Sequence, residues 1–409
     1  MLKFNINASI IFGLAVQSLV NFTLSDPRYF YDVPLVHDID IVSLETVLDL
    51  NKSHIRYQEF MPPQEVCFEP LPFAAKEFQL YQPSHVTLDK TWVLTIPHGR
   101  ACSRAGYVLI DNKYILRELF CHCGWLVHQL YTLNEDKAAF ANVRKVSGRV
   151  AVITRLGAEN YSHFLVDVLG RIAILDLMGV EYDWLYIPYN KPHIKQILEA
   201  WGIDPLKIIQ PEGDFHSIEA DELIVPSQTA HLKPTPGITY TNLVDLCAQY
   251  WPTWLTDHYR SKFLPLVDRP TKNPDRFSKK VFISRKDSYW RVLLNEDEVF
   301  QQFEPYGFKK YLLSELTFLE QIELFSNAEI IVGAHGTGIC NILFCSSGTK
   351  VVEIFQERSD TCFTFLAQSL GLDYMPVKTV DFRINDRASC RPTIAPLDII
   401  QNAIKTLNL

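Results

Sequence analysis

From Gly148 onward, short unbroken apolar runs alternate with longer segments whose apolar residues fall three and four positions apart. Val150–Thr154 has the first pattern, and the stretch carrying Leu165, Val168, Ile172 and Leu175 has the second. Further strands are predicted at Trp184–Ile187, Lys207–Ile209 and Glu222–Val225, with helices at Ile194–Trp201 and Leu243–Trp254. After a proline-rich linker the alternation resumes with a strand at Val281–Ile283 and a helix at Glu296–Phe303. Strand Phe308–Leu313, helix Phe318–Ser326 and strands Ile330–Val332 and Lys350–Ile354 follow. Beyond Phe355 the pattern weakens, until Pro396 opens a helix with Leu397, Ile400, Ile404 and Leu407 on one side, expected to cross back to the first domain. Such alternation is that of an α/β chain with parallel sheets. Upstream, residues 26–144 are rich in proline and aromatics and lack a helical period. Only Tyr107–Ile110, Asp111-Asn112 and Tyr114–Leu116 read as a hairpin. The expected division is therefore an irregular, partly β extension (1–144), a first Rossmann-like domain (145–264), a linker (265–274), a second Rossmann-like domain (275–385) and a tail with the crossing helix (386–409).

Composition narrows the picture without redirecting it. A chain of 409 residues is ample for two cores, and a formal net charge of −8 offers no general attraction to nucleic acid. The nine cysteines are scattered; Cys121-His122-Cys123 has no second pair at a zinc-binding distance, so free thiols in a reducing compartment are expected. Residues 8–20 form an apolar stretch interrupted by Gln17 and Ser18 and lack a small-residue cleavage site. The expectation is a cytoplasmic chain, with a signal or membrane anchor through 8–20 as the alternative.

Two strand ends carry candidate chemistry. The run Ile330–Val332 leads into Gly333-Ala334-His335-Gly336-Thr337-Gly338, where glycines let backbone amides approach an anion at the start of a short helix. Close packing alone would also account for such a turn. The run Val281–Ile283 ends in Ser284-Arg285-Lys286, followed by Arg291, Asn295 and Glu296. In the first half His163, Asp167 and Arg171 stand four residues apart on one helical face. Imidazole beside carboxylate suits an oriented general base, whereas a solvated charged face would show the same spacing. Glu159 is the rival base.

Taken in order, Glu159-Asn160-Tyr161-x-His163, Ile283-Ser284-Arg285 with Arg291 and Asn295-Glu296, Glu320-Gln321, His335-Gly336-x-Gly338, Asn341 and Val352-Glu353-Ile354 resemble the family 61 glycosyltransferases over residues 145–356. The resemblance implies a GT-B architecture, with two Rossmann-like domains facing a cleft and the nucleotide sugar held by the second. It also implies inverting transfer of a sugar, UDP-linked in the expected case, to a hydroxyl of a glycan or glycoprotein. On that reading Arg285, Lys286, Arg291, His335, Gly336, Thr337, Gly338, Asn341 and Glu353 hold the donor. His163, Asp167 and Glu159 serve the acceptor proton, and Asn160, Asn295 and Glu296 orient their neighbours. No resident cofactor or metal is expected, because cations and amides can stabilise the leaving diphosphate, and Asp38-Ile39-Asp40 sits in the extension. Thr337, Ile339, Ser162 and the Leu169-Gly170-Arg171 triplet depart from the family pattern. A catalytically silent nucleotide-sugar or glycan-binding protein is the alternative function. A dinucleotide oxidoreductase is disfavoured, because no G-x-G-x-x-G opens a helix.

Overall fold

The computed structural model describes residues 40–50, 54–67, 85–119, 143–155, 157–211, 216–229, 250–267, 276–355, 362–381 and 392–409. The first half contains strands β1 (Asp40–Val42), β2 (Arg56–Met61), β3 (Gln64–Cys67), β4 (His85–Leu88), β5 (Thr91–Pro97), β6 (Arg100–Cys102), β7 (Tyr107–Ile110) and β8 (Tyr114–Leu116). It continues with β9 (Val143–Val152), β10 (Trp184–Tyr186), β11 (Ile208–Ile209) and β12 (Ser217–Pro226). Among the described residues, ten strands form one sheet in the order β1-β8-β7-β6-β12-β9-β10-β11, with β5 beside β12 and β2 beside β5. Strands β12, β9, β10 and β11 run parallel, as the alternation predicted.

The hairpin of β7 and β8 is present, but the segment before residue 145 is not a layer lying outside the α/β body. Strand β12 is ten residues long, and one of its edges pairs with β6 at Ser217–Glu219 and with β5 at Glu222–Pro226, both antiparallel. Trp92, Leu94 and Val108 consequently share a core with Val150, Val152 and Leu223.

Helices α1 (Leu44–Asp49), α2 (Tyr161–His163), α3 (Gly170–Met178), α4 (Pro192–Trp201) and α5 (Thr253–Phe263) belong to this half. The helix expected at 243–254 is described only as α5, which starts at Thr253 behind an extended Pro252; residues 230–249 lie outside the described residues. Of the expected linker, Leu264–Leu266 is a 3-10 turn, and 268–275 fall outside the described residues.

The second sheet is wholly parallel, in the order β14-β13-β15-β16-β17, where β13 is Lys280–Ile283, β14 Lys309–Tyr311, β15 Ile330–Ala334, β16 Lys350–Phe355 and β17 Asp373–Lys378. Its central strands are buried on both faces, which is why they read as continuous apolar runs. Helices α6 (Glu296–Phe303), α7 (Phe318–Ser326), α8 (Cys362–Ser369) and α9 (Leu397–Thr406) accompany it, and small ladders join β3 to β4 and β18 (Val380–Asp381) to β19 (Thr393–Ile394). Helix α9 does not return to the first sheet. Ile400, Ala403 and Ile404 pack with Val299, Phe303 and Val377 of the second, and Lys350 Nζ donates to the Leu407 carbonyl at 3.1 Å.

Strand order reverses between β13 and β15. In open parallel sheets, ligands bind at the carboxyl ends of strands flanking such a reversal. The halves meet in one apolar core, with Phe263 edge-on to Phe318 and Phe344. Arg260 Nη1 of α5 donates across to the carbonyls of Leu343 and Cys345 at 2.7 and 2.8 Å.

Candidate active site

At the carboxyl ends of β13 and β15 lies a cleft of about 290 Å³ whose walls include Arg285, Ser288, Thr337 and Gly338 of the second half and Tyr161 and His193 of the first. Arg285 organises its own loop: Nε donates to the Arg291 carbonyl at 3.3 Å, and Nη2 donates to Ser288 Oγ at 2.8 Å and to the Trp290 carbonyl at 2.9 Å. These acceptors are neutral. Burial, and then the charge of Arg291, push its pKa down to about 10 against the opposing pull of Asp287 and Glu296, so it stays cationic at neutral pH, and among the described residues no carboxylate is bonded to the guanidinium. The loop is hung from Glu296, which is 4% exposed and accepts from Ser284 Oγ at 2.7 Å and from the Arg285 amide at 2.8 Å.

Opposite, a 3-10 helix (Thr337–Phe344) starts at Gly336. A Cβ built on Gly336 would overlap the Arg285 guanidinium, so the absent side chain is what lets the cation lie against the loop. The leading amides of a helix have no partner within it. Thr337 and Gly338 supply them here, beside Arg285.

The first half presents a helix with an irregular middle. Asn160 caps it, accepting from the amides of Ser162 and His163, and residues Phe164–Leu169 adopt a π-helical turn before α3 resumes at Gly170. Hydroxyls from outside the helix bond carbonyls in this turn: Tyr259 donates to Leu165 at 2.5 Å and Thr229 to Val166 at 3.0 Å. A Cβ on Gly170 would strike Thr229, so the glycine that departs from the family pattern makes room for it. Such turns recur at functional sites.

Asp167 and Arg171 are 8% and 1% exposed, so the reading of a solvated charged face is overturned. His163 Nδ1 lies 2.9 Å from Asp167 Oδ2, which also pairs with Arg155. Burial alone would raise the Asp167 carboxyl, but Arg155, the His163 bond and Arg171 outweigh it and hold the group below the usual carboxylate range. His163 remains half-buried. It does not line the cleft, whose wall on this side is formed by Tyr161 and His193. Glu159 accepts from Asn190 Nδ2 at 2.7 Å and is flanked by Lys191 at 3.6 Å and Arg104 at 3.8 Å, which disfavours it as a base.

Other expected donor ligands take different places. Lys286 is exposed and bonded to both oxygens of Asp297, outside the cleft. Arg291 gives its carbonyl to Arg285 from a left-handed backbone (φ 56°), and its Nε is buried without a partner among the described residues. Asn295 ties down the C-terminal segment by exchanging bonds with Ala395 rather than orienting the arginines. Asn341, fully buried, accepts from Tyr161 OH at 2.7 Å and donates to Gln321 at 2.9 Å, stitching the halves together. The side chains of His335 and Glu353 are also buried, and neither lines the cleft. Cleft residues not singled out from the sequence include His193, Asp287, Ser288 and Ser314; nothing in the spacing marks His193 or Ser314, which topology brings there, whereas Asp287 and Ser288 follow Arg285 in the same loop.

Among the described residues no cluster of three His, Cys, Asp or Glu could hold a metal ion. Cys121-His122-Cys123, Asp38 and residues 8–20 lie outside the described residues. No described helix is long and apolar enough to cross a membrane.

Residues 161–352 match the family model Glycosyltransferase 61. The resemblance read from the motifs is thereby shown. The matched segment runs from the helix of Tyr161 and His163 to β16, and so includes both strand ends of the cleft. Among curated proteins, the chain is similar to three named EGF domain-specific O-linked N-acetylglucosamine transferase. That of Drosophila melanogaster is 29% identical over 108 residues, covering 26% of this chain and 21% of the relative. That of Xenopus laevis is 31% identical over 111 residues, again 26% and 21%, and that of Mus musculus 28% over 101 residues, 24% and 19%. The aligned part thus spans about a fifth of the relatives' length.

Proposed function

We propose that the protein is an inverting glycosyltransferase of GT-B type that moves a sugar from a nucleotide donor, UDP-linked, to a hydroxyl of a glycan or glycoprotein. The observation that carries this is the Arg285 guanidinium, bonded to neutral acceptors beside the leading amides of Thr337 and Gly338, at the strand reversal and facing the cleft. A departing nucleoside diphosphate gains negative charge, and fixed cations and amides stabilise it where that charge grows. The reaction needs no metal on this reading. His163, oriented by Asp167, takes the acceptor proton; imidazole Nδ1 on the carboxylate leaves Nε2 for the hydroxyl. The cytoplasmic location expected from the sequence draws no support from the relatives.

One observation favours a second reading. His163 does not line the cleft, as a nucleotide-sugar-binding protein without turnover would allow. A panel of nucleotide sugars headed by UDP-N-acetylglucosamine, read for free nucleoside diphosphate with and without EDTA, separates the two. Release that persists in EDTA is expected. Binding with no release from any donor favours the silent reading, and release only with added manganese or magnesium overturns metal independence.

A further inference from the structure

The histidine that opens the glycine turn faces away from the cleft. His335 is 2% exposed, its ring stacks on Phe355 with centroids 5.4 Å apart, and its Nδ1 lies 2.5 Å from Glu353 Oε1. Glu353 sits in β16 with no exposure, and its other oxygen accepts from Tyr374 OH, also at 2.5 Å. Tyr374 belongs to β17, the edge strand beyond β16. A chain of three side chains therefore runs under β15, β16 and β17 and ends at the residue immediately before Gly336. From the front, the same loop is met by Arg285, which lies where a Gly336 side chain would stand. Amides can stabilise a diphosphate only if held within a fraction of an ångström, and that precision comes from the groups packed behind them.

We propose that Tyr374 and Glu353 are positioning residues of the diphosphate site, holding the 335–338 loop through His335 and making no contact with the donor themselves. The inference rests on the nucleotide-sugar reading above and deepens it. It also replaces the expectation that Glu353 binds donor hydroxyls, because both its oxygens are already engaged. The buried carboxylate and phenol reinforce each other: burial first, then the Glu353 charge, push the Tyr374 phenol well above its usual range, so it remains a donor at all working pH values.

The test compares wild type with Tyr374→Phe, Glu353→Gln and Glu353→Ala, using uridine diphosphate as probe in calorimetry and hydrogen exchange on the peptide spanning 335–344. Leu94→Ala, a buried change in the core of the first sheet, a cluster with no residue of the second half, controls for general loss of stability. Tyr374→Phe is expected to weaken uridine diphosphate binding roughly 10-fold and Glu353→Ala more, with Glu353→Gln between wild type and Glu353→Ala. Exchange in the loop should accelerate, and in turnover the donor KM should rise while kcat stays near the parent value. Leu94→Ala should lower the unfolding temperature without altering affinity. Variants that lose only thermal stability, with parent affinity and parent loop exchange, overturn the inference. Wild type that binds no uridine diphosphate overturns the proposed function and this inference with it, whereas equal binding by wild type and variants overturns the inference alone.

Discussion

Replacing Arg285 tests two roles at once, because the side chain both faces the cleft and organises residues 285–291. Burial and the neighbouring Arg291 charge lower its pKa to about 10, corresponding to about 3 kcal/mol against the charged form in the empty protein. A bound diphosphate offsets that cost. Loss of a charge-assisted contact is worth about 1.5–3 kcal/mol, so Arg285→Ala should raise the uridine diphosphate Kd about 10- to 100-fold. Arg285→Lys should recover little, since an ammonium cannot donate to Ser288, Trp290 and Arg291 together while meeting a phosphate. Calorimetry at pH 7 measures both, with circular dichroism confirming an intact fold. For wild type, affinity should stay level from pH 7 to about 9, because Arg285 remains cationic throughout that range. Parent affinity in Arg285→Ala would refute the clamp, and full rescue by lysine would refute the organising role.

Three further outcomes are expected. His163→Ala should lower turnover about 10²–10⁴-fold with donor affinity unchanged, and Asp167→Asn should cost less; a larger loss in Glu159→Gln than in His163→Ala would move the base to Glu159. The Asp167 carboxyl has a lowered pKa in the folded state, so the stability it contributes is present above about pH 4 and is lost as pH falls through the lower, folded value. The stability gap between wild type and Asp167→Asn should therefore narrow on acidification, and a gap that widens below pH 4 contradicts the buried ion pair. Asn341→Ala, which deprives Tyr161 OH and Gln321 of a buried partner, should cost about 1–3 kcal/mol in denaturant unfolding.

How much of this was legible in the sequence depended on burial. Strands β13 and β15 are covered on both faces and announce themselves as apolar runs, and α7 matches its expected limits because Thr317 and Glu320 form a capping box. Strand β17 was missed: it is an edge strand whose residues are mostly half-buried, and it contains Pro376, which only an edge tolerates. Beyond the β7–β8 hairpin, which the sequence shows, the strands before residue 145 are not legible: β6 has only three residues, and its place beside β12 is a matter of topology. Within the site, four-residue spacing revealed that His163 and Asp167 are neighbours. It could not reveal that Asp167 is buried, because the Thr229 and Tyr259 hydroxyls that bond the carbonyls of its π turn come from distant sequence. Position at a strand end made Glu353 look available to a ligand, whereas a tyrosine 21 residues later takes one of its oxygens.

The central claim is that a diphosphate is held between the ends of β13 and β15. A crystal structure of the protein soaked with uridine diphosphate tests it most directly. Phosphate oxygens within hydrogen-bonding distance of Arg285 Nη1 and the amides of Thr337 and Gly338 are expected; a diphosphate seated away from both strand ends, with this cleft left to solvent, would contradict it.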